Sequence, residues 1–304
     1  MNYGLNEDQS SLLAGLEQLI SGIAPPVPTE ARTYAEATDL EAALAEAGYL
    51  DLAREPDFGL LGAALVVERL ARLPHAIECG ARALVAPAFD IDAGPGPVAL
   101  AAAVDAPARF LPRAGLLLVD GQTQAQIYRV DAKAVDPVET LFAYPYGRAR
   151  PEALTLIGTG DASALRRRWR IALASESAGA MAAALAHMIE HVTTRQAFGR
   201  PLGAFQAIQH RLAMAAEMVE AVKWLSLKAA WSDSDADAAI AAGFAQSRIA
   251  GFTYDLHQFS GAMGLTLEFP LHYWTYRLRA LAGELGGASL QARAAASFIW
   301  NVAA

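Results

Sequence analysis

Hydrophobic positions recur at three-and-four spacing through both ends of this chain and break into short runs in its centre, a pattern of helices flanking a β-rich segment. Near the amino terminus Leu12, Leu13, Leu16, Leu19 and Ile20 share one face of an expected helix over 11–23. A second pattern over 39–47 opens at Asp39, a residue suited to an N-cap, and a third over 57–73 carries Leu61, Leu65, Glu68 and Leu70. Between Pro87 and Gly160 the period changes. Apolar runs at 97–104, 115–119, 124–130 and 154–157 surround a Pro and Gly cluster at 94–97, and Asp120-Gly121 signals a hairpin turn. Helical spacing returns over 166–194, 204–231, 236–259, 270–282 and 288–302, with Phe205, Ile208, Leu212, Ala215, Val219 and Val222 on one face. The fold class is therefore mainly α with a small β domain: a helical domain at 1–85, a β-rich domain at 86–161 and a helical bundle at 162–304.

A chain of 304 residues, 54% hydrophobic and rich in alanine, can bury a large core of close-packed helices. It holds no uninterrupted apolar run of about 18 residues, so no membrane span is expected. The start at Met1 lacks the basic and apolar regions of an export signal, which makes the cytoplasm the expected compartment. Net charge of -8 argues against a protein that grips nucleic acid through its overall field. Cys79, the one cysteine, rules out an intrachain disulfide and reads as a small buried hydrophobe. Arg166, Arg167, Arg168 and Arg170 form a dense basic cluster, expected as a solvated helix start or as a contact for a partner subunit or a ligand phosphate. The acidic turn from Asp233 to Asp237 opens like a calcium loop, but Ala238 and Phe244 stand where Gly and Glu are needed, so it reads as a helix cap. His187 and His191 fit a His-x-x-Glu-His zinc pattern without a third ligand and read as packing residues; no metal is expected.

Between the first two helices of the bundle, Gly199 and Pro201 force a turn that leaves Arg195 at a helix corner. There a guanidinium can aim a planar fork of donors at a phosphate, Phe198 offers a flat face to a ring, and Gly199 lets another backbone come close. Taken alone, these residues fit an anion with a flat ring, or equally a cation closing a helix end with Phe198 in the core. Farther on, Gln258, Gly261, Gly264, Glu268 and Pro270 form Gln-x-x-Gly-Ala-x-Gly-x-x-x-Glu-x-Pro.

The two stretches and their separation resemble the C-terminal domain of the acyl-CoA dehydrogenases. That family carries Arg-x-x-Phe-Gly followed by a Gln, and then Gln-x-x-Gly-Gly-x-Gly-x-x-x-Glu-x-Pro; here Ala262 replaces the second glycine. The resemblance implies that Arg195, Phe198, Gln206, Gln258, Gly261 and Ala262 hold the pyrophosphate and adenine of FAD across a subunit interface. It also implies α,β-dehydrogenation of an acyl-CoA: a carboxylate takes the α-proton, the flavin takes the β-hydride, and an acceptor such as an electron-transfer flavoprotein reoxidises it.

The β-rich segment departs from the family. It is much shorter than usual and lacks the Thr-Glu-Pro, Gly-Ser-Asp and Trp-x-x-Thr segments that hold the flavin ring and the CoA chain. Counting forward from Gly261 and Ala262 puts Leu285 at the usual position of the catalytic Glu, with Glu284 one residue away. On a helix that shift turns a side chain by about 100 degrees. The other position some members use for the base falls on Trp169. The pattern is similar to the short subunit of bacterial heterotetrameric (α2β2) acyl-CoA dehydrogenases of steroid side-chain degradation. By that likeness this chain supplies half of an FAD site and no catalytic carboxylate, while a longer acyl-CoA dehydrogenase-like subunit supplies the base and the flavin-ring pocket. Two other readings stay open: a self-sufficient homo-oligomer using Glu284, and a flavin-free structural or regulatory subunit.

Overall fold

The computed structural model describes residues 5–27, 31–89, 91–94 and 96–300. The expectations for Met1 and its neighbours, for Pro95 in the turn cluster and for a last helix reaching Val302 lie in part outside the described residues.

The first helix, α1 (Glu7–Ile23), starts earlier than its apolar stripe because Asn6 and Gln9 form a reciprocal capping box, each side chain accepting from the other's backbone N–H. Leu16 and Ile20 are its buried residues. β1 (Ala35–Glu36) leads into α2 (Thr38–Glu46), where Asp39 is not the cap: it lies inside the first turn, and no side chain closes that end. α3 (Gly59–Ala71) is buried over almost its whole length, including the Glu68 carboxylate, which Arg72 holds at 2.6 Å. β2 (His75–Ala76) pairs in parallel with β1.

The centre is two small sheets. β3 (Val98–Ala101), β4 (Ala108–Arg109), β5 (Leu116–Gly121), β6 (Gln124–Val130), β7 (Val135–Val138), β8 (Tyr146–Ala149) and β9 (Leu154–Asp161) divide into a four-stranded sheet of order β3-β5-β6-β9 and a three-stranded sheet of order β4-β8-β7. The β5–β6 hairpin turns at Gln122-Thr123 rather than at Asp120-Gly121, because Gly121 is already paired with Gln124. Gln122 takes the left-handed conformation (φ 67), helped by its N–H donating to the Asp120 carboxylate.

From Asp161, whose side chain caps the helix, α4 (Ala162–Thr194) runs 33 residues. Then come β10 (Gln196–Ala197), β11 (Arg200–Pro201), α5 (Gln206–Ser232), α6 (Asp235–Ser260), α7 (His272–Gly283) and α8 (Gly287–Trp300). Ser234, not an aspartate, caps α6. The first half of α4 places Leu165, Trp169, Ile171 and Ala172 in one core with α1–α3 and the four-stranded sheet. Its second half places Met181, Leu185, Met188 and Val192 in another core with α5, α6 and α7. Gly179 marks the tightest crossing: a methyl there would overlap the Glu68 carbonyl oxygen of α3. By length and composition α4 could cross a membrane, but 78% of its apolar window is buried inside the protein.

Candidate functional site

The antiparallel run of α4, α5 and α6 brings both sequence motifs to one end of the bundle. The first occupies the end of α4 and the start of α5, and the second occupies the end of α6. Three contacts tie them together. Arg211 near the start of α5 pairs with Asp255 near the end of α6, and its guanidinium lies over the Phe259 ring at 5.4 Å. His191 on the last turn of α4 meets the edge of Phe269, just beyond the second motif, at 5.0 Å. His187 packs on the same ring at 4.8 Å and on Trp274 at 5.7 Å, with burial lowering its pKa. The pair is thus aromatic packing, and no group of three or more His, Cys, Asp or Glu that could hold a metal occurs among the described residues.

Arg195, Phe198, Gln206, Gln258, Gly261 and Ala262 are all exposed at this end. No carboxylate among the described residues bonds the Arg195 side chain; the charge it influences is that of His191, whose pKa falls through burial and, second, through Arg195. Phe198 is 92% exposed and held at φ 54, a conformation in which a bulky residue is strained. Arg200 stacks on Phe205 at 4.0 Å, and Phe205 meets Phe198 edge-on at 6.1 Å. No side chain caps the N-terminus of α5, so its first amides add donors beside the two arginines. Gly261 (φ 61, ψ -146) makes a turn that L residues rarely adopt. The corner therefore offers cations, free amides and a bare aromatic face, which suits a phosphorylated ligand carrying a flat ring.

The interior positions behave differently. Leu285 is half-buried at φ 51 and packs against the first core. Glu284, before it, is half-buried, and both of its carboxylate oxygens are occupied: Arg109 Nε donates to Oε1 at 2.8 Å and Trp169 Nε1 donates to Oε2 at 2.6 Å. The two positions weighed for a base thus touch each other. The same guanidinium donates to Glu176 Oε2 from Nη1 at 2.6 Å and to Oε1 from Nη2 at 3.0 Å. Burial raises the pKa of Glu284, with Arg109 pulling the other way. Arg109 and Glu176 belong to no motif. The signal in the sequence is a lone Glu inside the apolar run 171–178.

The basic cluster is neither solvated nor open to a ligand. Arg166 pairs with Asp120 at 2.7 Å, Arg167 and Arg168 each reach Asp233 at 2.9 Å, and Arg170 donates to Gln291 at 2.6 Å. The calcium-like acidic turn is thus the partner of Arg167 and Arg168.

Comparison with known proteins agrees with this geometry. Residues 162–297 match the family model described as acyl-CoA dehydrogenase, C-terminal domain. They are an acyl-CoA dehydrogenase C-terminal domain. The match begins at the first residue of α4, and both corner motifs lie within this acyl-CoA dehydrogenase domain. Among curated proteins, the chain is 27% identical over 172 residues to acyl-CoA dehydrogenase IpdE2 of Mycolicibacterium smegmatis, covering 56% of this chain and 54% of that protein. The chain spans about half or less of the length of the first curated relatives it matches. Among solved structures, a variant of the Tcur3481-Tcur3483 steroid ACAD superposes with a TM-score of 0.78 at 22% identity, over 97% of this chain and 98% of that one. A chain of the ChsE4-ChsE5 complex from Mycobacterium tuberculosis gives 0.76 at 18% identity over the full length of both. At these identities the likeness establishes the fold: the whole chain, β-rich centre included, has the acyl-CoA dehydrogenase fold.

Proposed function

We propose that this chain is the short subunit of an FAD-dependent acyl-CoA dehydrogenase that works with a longer subunit of the same fold. In it Arg195, Phe198, Gln206, Gln258, Gly261 and Ala262 contact the pyrophosphate and adenine of FAD across the subunit boundary. The carrying observation is the contrast between two places: the corner arginine and phenylalanine are exposed and uncommitted, whereas the one acid near the family's base position is fully committed inside the chain. Bound FAD would take the β-hydride. This chain's part is to bind and orient the nucleotide half, with Arg195 as a planar donor to phosphate and Phe198 as a stacking face. The partner brings the α-proton acceptor, and an electron-transfer flavoprotein or similar acceptor reoxidises the flavin. The structural likeness to a steroid ACAD and to a two-component complex supports a two-component enzyme acting on a steroid or similarly bulky acyl-CoA; we place this chain in a cytoplasmic heterotetramer acting on steroid side-chain or comparable CoA esters. The proposed units are 1–85, 86–161 and 162–304.

Coexpression with a longer dehydrogenase chain from the same genome tests this. The complex should purify yellow, and Arg195→Ala should weaken FAD by about tenfold or more, the scale of a lost charged hydrogen-bond donor. Unchanged flavin content would favour a flavin-free structural subunit. A yellow homomer that oxidises CoA esters and stops on Glu284→Gln would favour the self-sufficient enzyme.

A further inference from the structure

Arg109, Glu176 and Glu284 come from three parts of the chain that share no local sequence: β4 of the small sheet, the middle of α4, and the turn between α7 and α8. The side chains of Arg109 and Glu176 are buried, at 7% and 5% exposure, and that of Glu284 is largely covered, at 14%. All three guanidinium nitrogens are used, two on Glu176 and one on Glu284, and the Trp169 indole closes the remaining Glu284 oxygen. Tyr144 adds a longer contact to Glu176 at 3.4 Å and lies under the guanidinium at 5.1 Å. Gly80 completes the enclosure, because a methyl on it would overlap the Glu176 carboxylate.

The backbone carries an independent mark of the same arrangement. Among the described residues five non-glycine residues have positive φ, and two of them directly follow the members of this cluster: Phe110 (φ 63) after Arg109 and Leu285 (φ 51) after Glu284. Left-handed backbone at a bulky residue persists only where surrounding contacts over-determine it. The strain at both ends of one ion pair, 175 residues apart, points to a cluster built as a unit.

We infer that Arg109 is the built-in occupant of this chain's interior site: it clasps Glu176 and Glu284, locks the small sheet to the bundle, and leaves no place for an acyl thioester beside Glu284. The inference rests on the proposed subunit role, and it makes that role irreversible by a single exchange at Leu285, because the neighbouring space is already filled by a bonded cation. Arg109 is here a positioning residue; it touches no substrate.

Indole labelling with 15N in the assembled protein tests the clasp, with Trp169→Phe assigning the signal. The Trp169 N–H should resonate downfield and exchange slowly. Glu284→Gln, which keeps the shape, should move it upfield, and saturating butyryl-CoA should leave it unmoved. A Trp169 signal indifferent to Glu284→Gln, or one displaced by butyryl-CoA, overturns the inference. Arg109→Ala should lower the melting temperature, and guanidinium at low millimolar concentration should raise it again saturably in this variant and not in the unsubstituted protein. Absence of saturable rescue in a folded Arg109→Ala protein also overturns it. Should Arg109→Ala not fold, the indole signal decides alone. None of these readouts depends on flavin, so loss of the clasp and loss of FAD on Arg195→Ala are separate results.

Discussion

Glu78 gives the sharpest pH prediction. It is buried between the wide helical turn that begins at Ala81 and strand β3, accepting from Ala81 N at 2.8 Å and Val98 N at 3.1 Å. Burial above all, with Glu176 nearby, raises its pKa from the ordinary 4.5 to about 7, against the pull of those two amides and of Arg109. A carboxyl whose folded pKa lies above its unfolded one stabilises the fold fully below pH 4.5, and that stability is lost as pH rises through about 7. The gap amounts to about 3 kcal/mol at roughly 1.4 kcal/mol per pH unit. Urea unfolding at several pH values between 4.5 and 9 should therefore show the unsubstituted protein losing, relative to Glu78→Gln, roughly that amount of stability as pH rises. Glu78→Gln should be weaker at low pH, since an amide nitrogen cannot accept from Val98 N, yet lose most of the pH slope. What remains combines Glu284, raised in the same direction, with His75, His187, His191 and His257, whose pKa values burial lowers and whose contribution runs the opposite way. Parallel pH profiles for the two proteins would refute the reasoning.

Gly179→Ala forces a methyl into the Glu68 backbone at the α3–α4 crossing, where neither helix can yield cheaply. Despite the gain in helix propensity, it should cost about 1–3 kcal/mol in denaturant unfolding. Cys79 is buried with its thiol pKa pushed well up by burial, so Ellman's reagent should find no reactive thiol in native protein and one after unfolding. Phe198→Ala removes a 92% exposed ring held at positive φ, and should leave stability within about 0.5 kcal/mol while lowering FAD affinity in the assembled enzyme.

The eight α-helices among the described residues were legible from apolar spacing alone, within a few residues at each end, because each buries a stripe against a neighbour. Their caps were less so. Asn6 was passed over because it lies before the stripe, and Asp39 looked like a cap although the chain enters that helix without one. Strands longer than three residues that carried continuous apolar runs, such as β5 and β6, were visible, whereas β4, β7 and β8 are too short or too polar to leave a period. At the corner, Arg195 and Phe198 were found by motif and lie where the turn predicted. The interior cluster was invisible for a physical reason. Ion pairs between positions 109, 176 and 284 depend on three segments meeting in space, and no local spacing encodes that. The arginines at 166–168 illustrate the converse. Read as a row they suggest an anion site, yet Arg166 is neutralised by Asp120 in the β-rich centre, and Arg167 and Arg168 by Asp233 one hairpin of helices away.

Because a single helix, α4, threads both hydrophobic cores, the family boundary at residue 162 is not a place where the molecule comes apart. A fragment beginning there would lose the helices α1–α3 and the sheet that share the core of Leu165, Trp169 and Ile171, and leave that core only partly covered. Heating should consequently melt both halves together in one transition, and any engineered exchange of the sheet region must carry its own replacement for the surface that α4 now shares.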